Sequence, residues 1–142
     1  MHFGVGVIGA TGYIGTPYRQ EIRAATDDAT IVALCARRRE PLAAAGREDG
    51  ARLLTDDWRA VVAHPQVNFV VVATPDALHY EAVMACAEQG KHVFCEKPVG
   101  VNRREAAAMW QAARQAGVGH FVPFWTRYIP RSCGPENSTA AD

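Results

Sequence analysis

Residues 3–15, FGVGVIGATGYIG, decide the fold. They open as an apolar run in which Val5, Val7 and Ile8 meet almost no polar interruption. That pattern suits a central parallel strand buried on both faces. The run breaks into Gly9-Ala10-Thr11-Gly12-Tyr13-Ile14-Gly15 and continues with helical composition. Strand, glycine turn and helix in that order form an anion site. The N–H groups of the turn and of the first helical turn converge, and the helix dipole adds partial positive charge. Glycine is needed where a Cβ would keep a diphosphate from the backbone. Gly4-Val5-Gly6-Val7-Ile8-Gly9 also spells G-x-G-x-x-G. Its glycines would fall inside the strand, with too few residues before them, so this match is rejected. The usable turn is Gly9-x-x-Gly12-x-x-Gly15, one residue longer between its first two glycines than the common fingerprint. A purely structural glycine turn is the alternative.

The chain has 142 residues, the size of one domain, and its apolar fraction of 49% is enough for a real core. Fifteen basic and fifteen acidic residues cancel, so nothing argues for nucleic acid or an anionic membrane as a partner. No apolar run approaches ~20 residues, and the N-terminus lacks a signal-like core. Cys35, Cys86, Cys95 and Cys133 show no C-x-x-C spacing, and free thiols in a reducing cytoplasm are the simplest reading.

Outward from the turn, residues 13–25 predict a helix with Ile14, Tyr18 and Ile22 on one face and Pro17 an awkward member of its first turn. Residues 30–35, TIVALC, predict a second buried strand. It ends in Ala36, and Arg37-Arg38-Arg39 follow at once. In a dinucleotide fold the second strand ends at the adenosine ribose. An acid there serves the 2′-hydroxyl of NAD, and arginine pairs with the 2′-phosphate of NADP. Arg37 and Arg38 therefore favour NADP, with NAD also admitted. The alternative is a solvated basic start to the next helix.

Further strands are expected at 51–54, 67–73, 91–95 and 118–122, with helices at 41–47, 56–63, 77–88 and 103–116. Thr55, Asp76 and Asn102 are the expected N-caps, and Gly50, Gly90 and Gly117 the expected stops. Six strands with intervening helices predict a doubly wound Rossmann sheet in the order 3-2-1-4-5-6. The run VNFVVVA ends in Ala73, and Thr74-Pro75 stand at its exit, where ligands of open α/β sheets bind. His79 lies in the first turn of the next helix and either faces a cofactor or is an ordinary surface histidine. Glu96-Lys97-Pro98 leave the fifth strand.

These pieces together, VVVATPDALHYEAV, GKHVFCEKPVG and VPFWTRYIP, resemble the N-terminal domain of the glucose–fructose oxidoreductase / inositol dehydrogenase (Gfo/Idh/MocA) family. The resemblance covers residues 3–130. It implies an NAD(P)-dependent oxidoreductase acting on CH–OH carbons of sugars, cyclitols or related compounds, commonly a homo-oligomer. It places Glu96 near the nicotinamide ribose, Lys97 on the substrate hydroxyl and the nicotinamide side, and Thr74 and Pro75 along the pyrophosphate and nicotinamide ribose with His79 behind them. It puts Arg127 near the cofactor and permits a cis Lys97–Pro98 bond. Lys97 is the candidate catalytic residue. A positive nicotinamide beside it would disfavour the ammonium and ready it for proton exchange. The other reading of Lys97 is a solvated lysine at a strand end.

The family carries a second, catalytic α+β domain that supplies further acid–base residues, and no position here matches them. The expected division is a Rossmann domain over 1–130 and a non-family or disordered tail over 131–142. That pattern suggests a truncated or frameshifted reading frame, or a fragment, inactive alone. The competing expectations are a non-catalytic module that senses NADP(H) or binds a partner, and a purely structural α/β domain.

Overall fold

The computed structural model describes residues 2–124. The chain alternates strand and helix: β1 (Phe3–Ile8), α1 (Gly15–Ala24), β2 (Ala29–Cys35), α2 (Arg39–Asp49), β3 (Leu53–Thr55), α3 (Trp58–Ala63), β4 (Phe69–Val72), α4 (His79–Glu88), β5 (His92–Cys95), α5 (Arg103–Ala116) and β6 (His120–Phe121). The strands form one parallel sheet in the expected order, β3-β2-β1-β4-β5-β6. Gly4 and Gly6 lie inside β1, which is why the literal G-x-G-x-x-G match is a decoy.

The sheet is covered on both faces, so its strands are apolar throughout. Val5, Val7, Ile31, Leu34 and Val71 pack on one side with Leu42 and Ala45 of α2. Ile8, Val70, Val72 and Val93 pack on the other with Val61, Val83, Cys86 and Met109. One irregularity breaks the alternation. Val5 pairs with Ile31 but Gly6 pairs with Ala33, so β2 carries one extra residue and Val32 and Ala33 enter the same core.

The helix ends show where local signals were overruled. α1 begins at Gly15, leaving Tyr13 94% exposed in the turn. Pro17 is then the third helical residue, where a missing N–H removes no intrahelical bond. Thr55 does not cap α3. It stays in β3, paired with Cys35, and Asp57 takes the cap by accepting from Arg59 N at 3.0 Å. Asp76 makes no cap either, because a 3₁₀ turn (Asp76–Leu78) intervenes before α4. Asn102 caps α5 as expected, accepting from Glu105 N at 3.0 Å, and Gly117 ends it in the left-handed region. The expectations for 131–142, and for the 130/131 boundary, lie outside the described residues. Among the described residues no helix is long and apolar enough to cross a membrane.

A buried charge cluster joins α1 to α2. Arg19 is 4% exposed, and its Nε donates to the fully buried Asp49 carboxylate. Arg19 Nη2 also meets Glu48 at 3.1 Å, and Arg23 Nη1 meets Asp49 at 3.0 Å. Removing one partner of such a pair strands the other charge away from water. Asp49→Ala should therefore cost about 3–5 kcal/mol in urea unfolding. Glu81→Ala, which breaks the exposed Arg59–Glu81 pair at 3.2 Å, should cost no more than about 0.5 kcal/mol. Equal effects of the two would mean the Arg19 cluster is no more than a surface contact.

Cys35, Cys86 and Cys95 are free and buried. Desolvation pushes the Cys35 thiol up to about 11 and those of Cys86 and Cys95 up to about 12. Thiolate is the nucleophile, so these groups should resist iodoacetamide at pH 8 in the native state and react after denaturation. Site-resolved mass spectrometry reads this directly, and native-state labelling at any of the three would contradict it.

Candidate functional site

The carboxyl ends of β1, β2, β4 and β5 open into one cleft of about 970 Å³. It lies at the switch point of the sheet, where the strand order reverses between β1 and β4. Two glycines let the elements beneath it close together. Gly9 has φ +85°, and a Cβ there would stand 2.2 Å from the Ala73 carbonyl oxygen at the β4 exit. A Cβ on Gly15 would stand 2.1 Å from the Gly9 carbonyl oxygen. The β1 exit, the β4 exit and the start of α1 can close on one another only without those side chains.

The N–H groups of this turn divide into two sets. Those of Gly9 and Ala10 both donate to Cys35 O at 3.0 Å, and that of Gly12 donates to Gly9 O at 3.0 Å. Those of Thr11, Tyr13 and Ile14 have no partner among the described residues, and all three residues line the cleft. The outer half of the turn, next to the α1 N-terminus, is therefore where an anion can be held. Ala10 is fully buried beneath it and does not line the cleft. Arg19 Nη1 reaches the Ala10 carbonyl from below at 3.4 Å.

Arg37 and Arg38 line the cleft beyond β2, and Arg38 Nη2 donates to Thr11 O at 3.3 Å across the lip. The buried Ala36 offers no carboxylate at that end. Asp56, from the β3 exit, also lines the wall. In the sequence it looked only like a first-turn acid of the next helix, and nothing local marks it as a cleft residue.

Ala73, Thr74 and Pro75 line the middle of the cleft. Thr74 Oγ1 is buried with no hydrogen-bond partner among the described residues. His79 is fully buried, which removes the surface-histidine alternative. It does not line the cleft. Its Nε2 lies 3.0 Å from Thr74 O and its Nδ1 3.0 Å from Pro98 O, so it joins the β4 and β5 exits from behind.

Glu96 and Lys97 close the far end, and the Lys97–Pro98 bond is cis. Lys97 is exposed, and Glu96 is 7% exposed. One Glu96 oxygen accepts from the Tyr18 hydroxyl, and the other accepts from Lys97 N at 3.0 Å. Burial, and then the bond and charge of Glu96, push the Tyr18 phenol well above its ordinary range, so it stays a donor. By its spacing Tyr18 shares one helix face with Ile14 and Ile22. Its partner lies 78 residues away, and no local signal could reveal it. Arg127 lies outside the described residues. Among those described, no cluster of His, Cys, Asp or Glu could hold a metal ion.

The arrangement suits an extended ligand with an anionic middle. Unpaired N–H groups sit at its centre, guanidiniums at one end and a primary amine at the other. The family model described as "Oxidoreductase family, NAD-binding Rossmann fold" matches residues 3–124. The chain is 40% identical over 91 residues to levoglucosan dehydrogenase of Pseudarthrobacter phenanthrenivorans, covering 64% of this chain and 23% of that protein. It is 33% identical over 124 residues to myo-inositol 2-dehydrogenase of Thermotoga maritima, covering 87% and 36%. Among solved structures, an NAD-binding oxidoreductase from Klebsiella pneumoniae superposes with TM-score 0.83 at 34% identity, covering 92% of this chain and 36% of that one. Levoglucosan dehydrogenase in complex with NADH and levoglucosan superposes with TM-score 0.77 at 31% identity, covering 86% and 35%. The chain thus spans about a third, or less, of the length of these relatives. With strand order, glycine turn and the Glu96-Lys97-Pro98 exit all in place, the chain belongs to the Gfo/Idh/MocA oxidoreductase family and carries its NAD-binding Rossmann domain.

Proposed function

We propose that the cleft binds NADP(H), and that this domain is the cofactor-holding part of a dehydrogenase acting on a CH–OH carbon of a sugar, cyclitol or related polyol. One observation carries the reading: unpaired turn amides, two arginines and one lysine converge on a single cleft at the switch point of the sheet. The levoglucosan and myo-inositol dehydrogenases among the relatives support the substrate class.

The residues present fit a dinucleotide. The N–H groups of Thr11, Tyr13 and Ile14 would hold the diphosphate, with Gly9 and Gly12 lining the cleft beside them. Ala73, Thr74 and Pro75 would flank its nicotinamide half, where the Thr74 hydroxyl has no other partner among the described residues. Arg37 and Arg38 would take the 2′-phosphate, with Ala36 offering no acid to prefer the 2′-hydroxyl. Asp56 opposes them, but two guanidiniums outweigh one carboxylate at that wall.

When bound, the nicotinamide accepts or returns a hydride. Lys97 would hold the oxygen of the reacting carbinol and exchange its proton as the hydride moves. Glu96 would fix the Lys97 backbone and border the ribose. His79 would act behind the wall, keeping the β4 and β5 exits together rather than touching the ligand.

Isothermal titration tests the assignment. NADPH should bind at least tenfold tighter than NADH, since each charge-assisted bond to phosphate contributes about 1.5–3 kcal/mol. Arg37→Ala/Arg38→Ala should erase that preference and leave NADH affinity nearly unchanged. Equal wild-type affinities would sink the NADP assignment, and no binding of either nucleotide would sink the cofactor reading. We also propose that this chain alone binds cofactor without turnover. Incubation with NADP⁺ and myo-inositol or levoglucosan should then give no growth in absorbance at 340 nm, and steady NADPH formation would refute it.

A further inference from the structure

The turn that presents Lys97 is fastened to the helix that begins at the anion seat, and the fastening is made by Tyr18, a residue outside the stretches that carry the family resemblance. We propose that Tyr18 is a positioning residue: by holding the Glu96 carboxylate it sets where Lys97 stands relative to the diphosphate seat. This rests on the cofactor reading above.

The geometry is specific. Tyr18 lies three residues into α1 from Gly15, so a single rigid helical turn separates its Cα from the N-terminus of that helix. Its ring meets Phe94 of β5 edge-on, with centroids 4.9 Å apart and planes at 74°. Phe94 in turn lies against Phe121 of β6 at 5.4 Å. Packing between sheet and helix therefore aims the hydroxyl, and the hydroxyl meets Glu96 Oε1. Glu96 Oε2 accepts from Lys97 N at 3.0 Å, so the carboxylate is used on both sides. A buried carboxylate must keep such partners, because water cannot replace them. The chain of contacts runs from α1 through Tyr18 and Glu96 to the Lys97 backbone, and it joins the anion seat at the centre of the cleft to its lysine end.

A residue with this role acts on one half of the ligand only. 2′-Phospho-ADP fills the adenosine and diphosphate portions and carries no second ribose, whereas on this reading NADPH reaches Glu96 and Lys97. Tyr18→Phe keeps the ring packing and deletes the hydroxyl. It should weaken NADPH about tenfold, the scale of one bond to a charged group, and leave 2′-phospho-ADP within about twofold. Glu96→Gln breaks the other half of the chain, since an amide offers one acceptor oxygen where two donors converge. It should weaken NADPH selectively in the same way, and it decides the matter if Tyr18→Phe fails to fold. The double variant should bind NADPH no worse than the weaker single variant, because both act through one contact.

Equal weakening of both ligands would show a merely structural role and overturn the proposal. So would unchanged NADPH affinity, or losses that add in the double variant. Wild-type protein that binds neither ligand would overturn the cofactor reading itself, a result distinct from wild-type binding with an indifferent Tyr18.

Discussion

The Ala73 carbonyl oxygen lies where a side chain on Gly9 would begin. That contact between the exits of β1 and β4 is the constraint from which the rest of the site follows. It holds together the two strands at which the sheet reverses its winding direction, and a crevice must open there because the following helices depart to opposite faces. The same turn donates twice to Cys35 O, which adds the β2 exit to the junction. Three strand ends are thus fastened by backbone groups alone. The amides left over, those of Thr11, Tyr13 and Ile14, lie on the outer side of that junction.

Helix α1 extends the junction in two further directions. Residues 18 and 19 are adjacent in sequence and about 100° apart around a helix, so they face different neighbours. Tyr18 reaches Glu96 beyond β5, and Arg19 reaches Asp49 at the end of α2. The helix is therefore braced from the β5 side and from the α2 side. Its N-terminus, whose dipole and unpaired N–H groups favour an anion, has little freedom to shift. Arg19, its charge balanced by Asp49 and Glu48, also reaches the Ala10 carbonyl and so braces the turn from below.

The strand order was legible because each buried strand of a parallel sheet must be apolar on both faces, and runs such as Val70–Val71–Val72 have no other use in a chain of this size. The glycine turn was legible for the same reason: Gly9, Gly12 and Gly15 follow such a run, whereas Gly4 and Gly6 interrupt it. What escaped were features set by distant partners. Tyr18 has the spacing of a core residue, and only Glu96, brought in by the β4–β5 pairing, gives its hydroxyl a purpose. Thr55 has the composition of an N-cap, but pairing with Cys35 keeps it in the sheet and passes the cap to Asp57. The extra residue at Val32 leaves no mark in a uniformly apolar strand. His79 could be placed only once its burial was known.

The two ends of the cleft are held by unequal means. Behind the β4 and β5 exits His79 touches both Thr74 O and Pro98 O, and in front Tyr18 and Glu96 tie the same turn to α1. His79 and Glu96 are themselves buried, and buried polar groups that lose a partner are costly. At the β2 end Arg37 and Arg38 are exposed, and among the described residues their one side-chain link across the lip is a 3.3 Å bond from Arg38 to Thr11 O. Exposed arginines can change partner or identity with little effect on the fold. The physical division therefore parallels a functional one on the reading proposed here. The end that would discriminate the cofactor's ribose substituent is free to vary, while the end that would hold the reacting oxygen is locked into the core. A dehydrogenase scaffold built this way can change its nicotinamide nucleotide by surface substitutions after β2, without moving the lysine after β5.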